Sequence, residues 1–448
     1  MSNLRAPQSN PTAPPRATLP TRWTQLRPHA QQRALTNSTA RFNFVAAGRS
    51  SGKTELSKRK LVMALARDVP GCANPLYFAA GPTNDQMKRV WWQDLKDLTP
   101  PLWITRVCET DMSIHTVFGS TLYVIGLDKP QRIEGNQFCG GVVDESSDIK
   151  PGAYARSIRP TLGMYAGWCD RIGVPKRFGV GAEEFRKGCE APGPAGSSFW
   201  WPASSVLSPQ EIQDAQDAIG VDDYEEQYNA KWLHSVGAVF SGFDAQQTVR
   251  SCAYDPSRRV FVGCDFNVDN MSWVLGHVDE AVGSGVGTLE VFDEIFARNT
   301  NTSQTLSTLW GRYSSHASGW TFTGDASSKA RKTSATVTDY VQILNDTRFA
   351  NAAGGRTVDF PRANPGVRDR IAATNALLCS ASGTRRLHVD PACRKLIDDL
   401  RLRSSTNTDA DRGHMTDALG YLIWQKLPLT AQRTGSRRLV IMPTPAKW

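Results

Sequence analysis

Long apolar runs are missing from this 448-residue chain. Nothing approaches eighteen uninterrupted apolar residues, which argues against a membrane span. The N-terminal stretch has no apolar signal-peptide core. It is rich in Pro, Ser and Arg, so residues 1–20 read as a disordered tail and secretion is not expected. Clustered cysteines are missing too: the nine present lie at least twelve positions apart, with no C-x-x-C pair and no Cys/His group. That pattern argues against a zinc site or a disulfide framework and fits a reducing cytoplasm. No internal repeat is visible. What remains is a chain too long for one ordinary core, with 40% hydrophobic residues, enough for two domains. The net charge of +9 is compatible with a polyanionic partner such as DNA, although many basic proteins bind no nucleic acid.

Short apolar runs alternate with helical patterns from Phe42 to about Gly181, as expected of an α/β domain with a mostly parallel sheet. "FNFVAA", "PLYFAAGP", "TLYVIGL" and "FCGGVVDE" are candidate strands. Met87, Val90, Trp91, Leu95 and Leu98 mark one face of an amphipathic helix, and "SPQE" at 208–211 reads as a helix start. Turn residues with little period place a linker at 241–257, between an N-terminal domain at 21–240 and a second α/β domain at 258–428. In the second domain, "RVFVGCDF", "MSWVLGHVD" and "TLEVFDEIF" read as antiparallel strands and "WTFTGDA" as a further strand. Residues 429–448 read as a basic tail.

After the first strand comes "AGRSSGKT", a phosphate-binding loop with Ala47, Gly48, Arg49, Ser50, Ser51, Gly52, Lys53 and Thr54. Small residues let backbone N–H groups turn inward around phosphate oxygens, and the following helix adds its positive end. Lys53 is expected to reach the β- and γ-phosphates of ATP, and the Thr54 hydroxyl to ligate Mg²⁺. "GGVVDESS" supplies the second element: Asp144 to support the metal through water, and Glu145 to orient and activate the attacking water. "DE" after a strand is also how many polar loops begin. In "LRPHAQQ", Gln32 is the expected reader of the adenine edge, with Gln31 behind it; a solvated helix surface is the plain alternative. Arg132 is a candidate arginine finger, or equally a surface or DNA-backbone arginine. Arg49 is a further cation placed to contact phosphate.

The C-terminal half places Asp265 and Asp325 at strand ends and Asp417 beside the apolar face of Met415, Leu419 and Leu422. An aspartate there is costly unless paired or bound to a cation. Such a set matches what two Mg²⁺ or Mn²⁺ ions need in a phosphodiesterase, with Asp293, Glu294 and Asp269 as acids that could join. Ordinary aspartates at element ends are the alternative.

From about Leu26 to Tyr421 the chain resembles the large terminase subunit of tailed bacteriophages. The resemblance rests on "HAQQ", "AGRSSGKT", "GVVDE", "RIGVPKRFG", "GAVFSGFD", "GCDFN", "FDEIF", "TGDASS" and "HMTDALGY", in the family's order. It implies an ASCE-type P-loop ATPase that translocates double-stranded DNA, followed by an RNase H-like nuclease with a mixed sheet that cuts concatemeric genomes. Carried over, Lys53 and Thr54 match the phosphate loop, Asp144 the Mg²⁺-supporting acid and Glu145 the catalytic glutamate. Asp265, Asp325 and Asp417 match the nuclease metal ligands, and Arg132 more loosely the arginine that acts in trans. The resemblance also implies a procapsid portal protein, a small terminase subunit and a ring, a pentamer in the family, as partners, with work done in the host bacterial cytoplasm and at the portal vertex. One departure stands out: "RIGVPKR" carries Val174 where many relatives have threonine, which leaves the coupling residue unassigned. The rival expectations are a helicase-like translocase whose second domain binds DNA without cutting, and an ATP-gated capsid assembly scaffold.

Overall fold

The computed structural model describes residue 23 and residues 27–233, 238–267, 269–279, 287–329, 337–404 and 413–428; both expected tails lie outside this set. The chain forms two compact units. One comprises residues through Ser208 together with Glu226–Leu233; the other comprises Pro209–Glu225 and everything after Leu233.

The first unit is built on an eight-stranded sheet. Its strands are β1 (Phe42–Ala47), β2 (Leu76–Gly81), β3 (Ile104–Cys108), β4 (Ser113–Thr116), β5 (Thr121–Gly126), β6 (Phe138–Val143), β7 (Trp168–Gly173) and β8 (Gly196–Trp201), in the order 3-4-5-2-6-7-1-8. Strands from β5 to β8 run parallel, and β3 and β4 add an antiparallel edge. "FNFVAA" is buried at every position because both faces of a parallel sheet are covered. Phe44 joins Phe78 and Phe185 on one side, while Val45 joins Leu61, Ala79 and Trp91 on the other. β7 intervenes between β1 and β6, so the phosphate-loop strand and the Asp144 strand end at the same sheet edge, one strand apart.

The amphipathic helix expected after β2 is present, but its wide turn at Lys88–Trp92 changes the register. Trp91 and Trp92 are both buried and Val90 is exposed, contrary to the regular 3.6-residue face.

The second unit has a mixed sheet of β9 (Val260–Asp265), β10 (Met271–Asp279), β11 (Thr288–Ala297), β12 (Trp320–Gly324), β13 (Arg356–Val358) and β14 (Leu387–Val389), in the order 13-12-9-10-11-14. β9, β10 and β11 form the expected antiparallel meander, while β12 and β13 continue parallel from β9. This is the mixed sheet expected of the second domain. The helix His414–Lys426 lies across β9, burying Met415, Leu419 and Leu422 with Val274 and Val291.

Two segments pack differently from the expected division. The helix Pro209–Ala218 belongs to the second unit, where the Ile219 carbonyl accepts from the Ala381 N–H at 2.9 Å and Gln216 from Ser382 at 3.1 Å. Residues 241–257 are not a free linker: Arg250 N–H bonds Val389 O at 3.1 Å, and Cys252 N–H bonds Asp390 Oδ2 at 2.9 Å. Turn-rich composition conceals packing because these contacts are made by backbone groups. No helix among the described residues is long and apolar enough to cross a membrane.

Gly263 lets the last helix sit directly on β9, since a Cβ there would meet the Ala418 carbonyl at 2.4 Å and Leu422 Cβ at 2.9 Å. Gly263→Ala is expected to lift this helix and cost about 1–3 kcal/mol, read as a lower thermal midpoint; an unchanged midpoint would contradict the close packing.

Candidate functional sites

The loop after β1 turns through Ser50 at φ 56° and Gly52 at φ 79°, after which the helix Lys53–Ala64 begins. Left-handed backbone at Gly52 suits glycine and aims the helix's free N–H groups into the loop. The loop is clamped from outside. Gly48 N–H donates to Trp201 O at 3.0 Å, Arg49 N–H to Gln227 O at 2.6 Å, and Trp201 Nε1 to Ser51 O and Oγ at 3.1 and 3.0 Å. Gln32 Nε2 also donates to Ser51 O, at 3.1 Å, and Gln32 Oε1 accepts from the His29 N–H at 3.3 Å. Gln32 is therefore buried and braces the loop, whereas Gln31 is exposed.

Lys53 is 6% exposed, and its ammonium donates only a long 3.4 Å hydrogen bond to Gly48 O. Burial lowers its pKa, against the raising influence of Glu145 and Asp144. A buried cation at the positive end of a helix, with no ion pair among the described residues, is an arrangement that an anion would complete.

Thr54 Oγ1 donates to Asp144 Oδ2 at 3.3 Å, and Trp91 Nε1 donates to the same oxygen at 2.9 Å. Burial and the neighbouring Glu145 push the Asp144 carboxyl up. A hydroxyl beside a carboxylate suits Mg²⁺, which takes one or two protein ligands and fills the rest with phosphate and water oxygens. Burial also pushes Glu145 up, but Lys176, Lys53 and Arg49 outweigh it and hold the carboxyl below the usual range. The Arg49 side chain is exposed and acts through its field. Arg132 is exposed as well, on the short turn Pro130–Ile133, and pairs with Asp128 at 3.3 Å.

In the second unit Asp265 feels the charges of both Asp417 and Asp325. Burial raises the Asp265 pKa against a 2.8 Å contact from His414 Nδ1, and the charges of Asp417 and Asp325 raise it further. Each carboxylate nevertheless has protein partners. Asp417 Oδ1 accepts from Arg370 at 3.1 Å and Arg403 at 3.2 Å, and Asp325 accepts from Ser327 and Asn364. Among the described residues no three His, Cys, Asp or Glu side chains are assembled to hold a metal ion.

Glu294 does not join the cluster. Its oxygens accept from the Lys395 and Leu396 N–H groups at 2.9 and 2.8 Å, capping the helix Arg394–Leu402. Asp293 pairs with Arg312 and Tyr313, and Asp269 is exposed. Sequence reasoning missed Trp91, Trp201, Lys176, His414, Arg370 and Arg403. Of these, Lys176 stands in the "RIGVPKRFG" segment, and His414 stands three residues before Asp417 and so on its helical face.

Because the folded Asp265 pKa is raised, its ionised form costs stability. That cost is absent below the unfolded value of about 3.9 and grows as pH rises through the folded value. Asp265→Asn is therefore expected to raise the thermal midpoint in EDTA at pH 8, with the gain vanishing near pH 4; a loss at pH 8 would contradict it.

No protein-family model and no curated protein matches the chain. Among solved structures, the large terminase of a thermophilic bacteriophage matches over 88% of this chain and 98% of its own, at 14% identity and TM-score 0.57. The same protein in complex with ADP gives 14% and 0.57, and in complex with ATP-gamma-S 14% and 0.56, with the same coverage. This chain has the fold of a bacteriophage large terminase.

Proposed function

We propose that the protein is a genome-packaging motor that hydrolyses ATP to move double-stranded DNA into a procapsid, and that its second unit cuts concatemeric DNA with Mg²⁺ or Mn²⁺. The observation carrying this reading is the buried Lys53 ammonium at a helix N-terminus, beside the Thr54–Asp144 pair and Glu145. Terminase structures of this fold with ADP and ATP-gamma-S support it. The β- and γ-phosphates would sit against Lys53 and the loop N–H groups, Thr54 and Asp144 would hold Mg²⁺ and its water, and Glu145 would take the proton of the attacking water. An exposed Arg132 is free to leave Asp128 for the nucleotide of a neighbouring subunit in a ring. The portal protein and the small terminase subunit are the proposed partners, in the host cytoplasm and at the portal vertex. The grip on DNA is to phosphates, so it is sequence-tolerant and weakens with salt.

Glu145→Gln is expected to lower ATP turnover by about 10²–10⁴-fold while ATP still binds, measured by phosphate release beside equilibrium nucleotide binding. Turnover at the original rate would reject the motor and favour an ATP-gated scaffold.

The engagement of Asp417 by Arg370 and Arg403 favours a second reading, in which the second unit binds DNA without cutting it. Incubating supercoiled plasmid with the full chain and Mg²⁺ or Mn²⁺ separates the two. Nicking that disappears in Asp265→Ala supports the nuclease, whereas no nicking with either ion supports the non-cleaving form.

A further inference from the structure

We propose that Lys176 is the positioning residue for Glu145, holding its carboxylate at the nucleotide site and tying it to the segment that follows β7. The inference rests on the ATPase reading above. It begins with the Glu145 backbone, which is left-handed at φ 47°, ψ 49°. A non-glycine residue there is strained by about 1–3 kcal/mol, so neighbouring contacts must hold it.

Those contacts are specific. Asp148 N–H closes a turn onto Glu145 O at 2.8 Å, and Glu145 N–H donates to Asp144 Oδ1 at 2.9 Å. The Glu145 Oε2 atom is enclosed without a hydrogen-bond partner, and Lys176 Nζ faces it at 3.4 Å. The same ammonium hydrogen-bonds Asp148, three residues further on. Lys176 is itself firmly seated. Before it, the Val174 carbonyl accepts from Ser147 Oγ at 2.7 Å; after it, Arg177 N–H donates to Glu226 Oε1 at 2.6 Å and Arg177 Nε pairs with the same oxygen at 3.0 Å. Two points of attachment thus fix the lysine opposite the glutamate.

Charge explains why a cation is needed at this place. Glu145 follows the buried Asp144 directly, and two adjacent carboxylates repel. Lys53, the other strong cation acting on Glu145, is the group that a phosphate would engage. With Lys176 neutralised, Glu145 would lose the cation facing its enclosed oxygen and leave the position from which it acts on the attacking water. Lys176 keeps the base charged and in place. It also gives the "VPKR" segment a charged link to the glutamate where Val174 offers no hydroxyl.

The test is steady-state ATP turnover of the full chain with Mg²⁺, alongside equilibrium binding of ATP. Lys176→Met is expected to lower kcat by about 10²-fold with KM and ATP affinity changed by less than about threefold. Lys176→Arg should recover most of the loss. Adding Lys176→Met to Glu145→Gln should cost no more than about twofold beyond Glu145→Gln alone, since the two act as one unit. Asp148→Asn, which leaves the Lys176–Glu145 pair intact, should stay within about threefold of the original kcat.

A merely structural lysine would give equal losses in Asp148→Asn and Lys176→Met, and that result overturns the proposal. So does a rise in KM at constant kcat, an arginine variant no better than methionine, or a full additional loss in the double variant. A protein with no ATP turnover overturns the ATPase reading and this inference with it. Turnover that responds to Glu145→Gln and ignores Lys176→Met overturns this inference alone.

Discussion

The first unit is organised around the buried ammonium of Lys53, which its own chain leaves nearly unpaired. Removing a charge from water costs several kcal/mol even after relaxation, and placing it at the positive end of the Lys53–Ala64 helix adds to the cost. Much of the neighbouring construction can be understood as tolerating that charge. Asp144 and Glu145 supply negative potential from the adjacent sheet edge without closing an ion pair. Gln32 and Trp201 hold the loop from behind through Ser51, so it is not free to collapse onto the lysine. Strain at Ser50 and Glu145 is stored around the same point, where a phosphate would find donors already oriented.

The sheet strands of both units were legible because burial leaves a direct mark on sequence. "FNFVAA" and "FCGGVV" are continuous apolar runs that a doubly covered parallel strand requires, and the phosphate loop and the acidic pair follow at their ends. Other features left no such mark. The wide turn at Lys88–Trp92 breaks the 3.6-residue period, so Val90 was assigned inward and the Trp91 contact to Asp144 was not foreseen. The Gln32 contact to the loop backbone likewise left no mark, because composition does not encode where an amide meets backbone. Glu294 looked like a cluster acid by proximity to strand-end aspartates. Its direction along β11 turns it to a helix N-terminus instead.

In the second unit the same acids serve two demands. Asp325 and Asp417 both raise the cost of charging Asp265, and the three acids are partnered by His414, Arg370, Arg403 and Asn364. Close seating of the last helix on Gly263 brings Asp417 toward Asp265. Any divalent ion entering here competes with guanidinium groups already in place, so occupancy and side-chain rearrangement are coupled. Spacing in sequence carried no information about the cations that meet these acids.

The strip Glu226–Leu233 returns to the first unit after the chain has already contributed Pro209–Glu225 to the second. Its Gln227 and Tyr228 carbonyls accept the Arg49 and Ala203 N–H groups, so it forms part of the wall behind the phosphate loop. Consequently the two units are not exchangeable by a single genetic crossover. A junction at Ser208 would leave the loop backed by foreign residues, and one after Leu233 would carry along a helix fitted to another partner. Recombination that shuffles the first and second units as modules must preserve this threading or exchange both segments together.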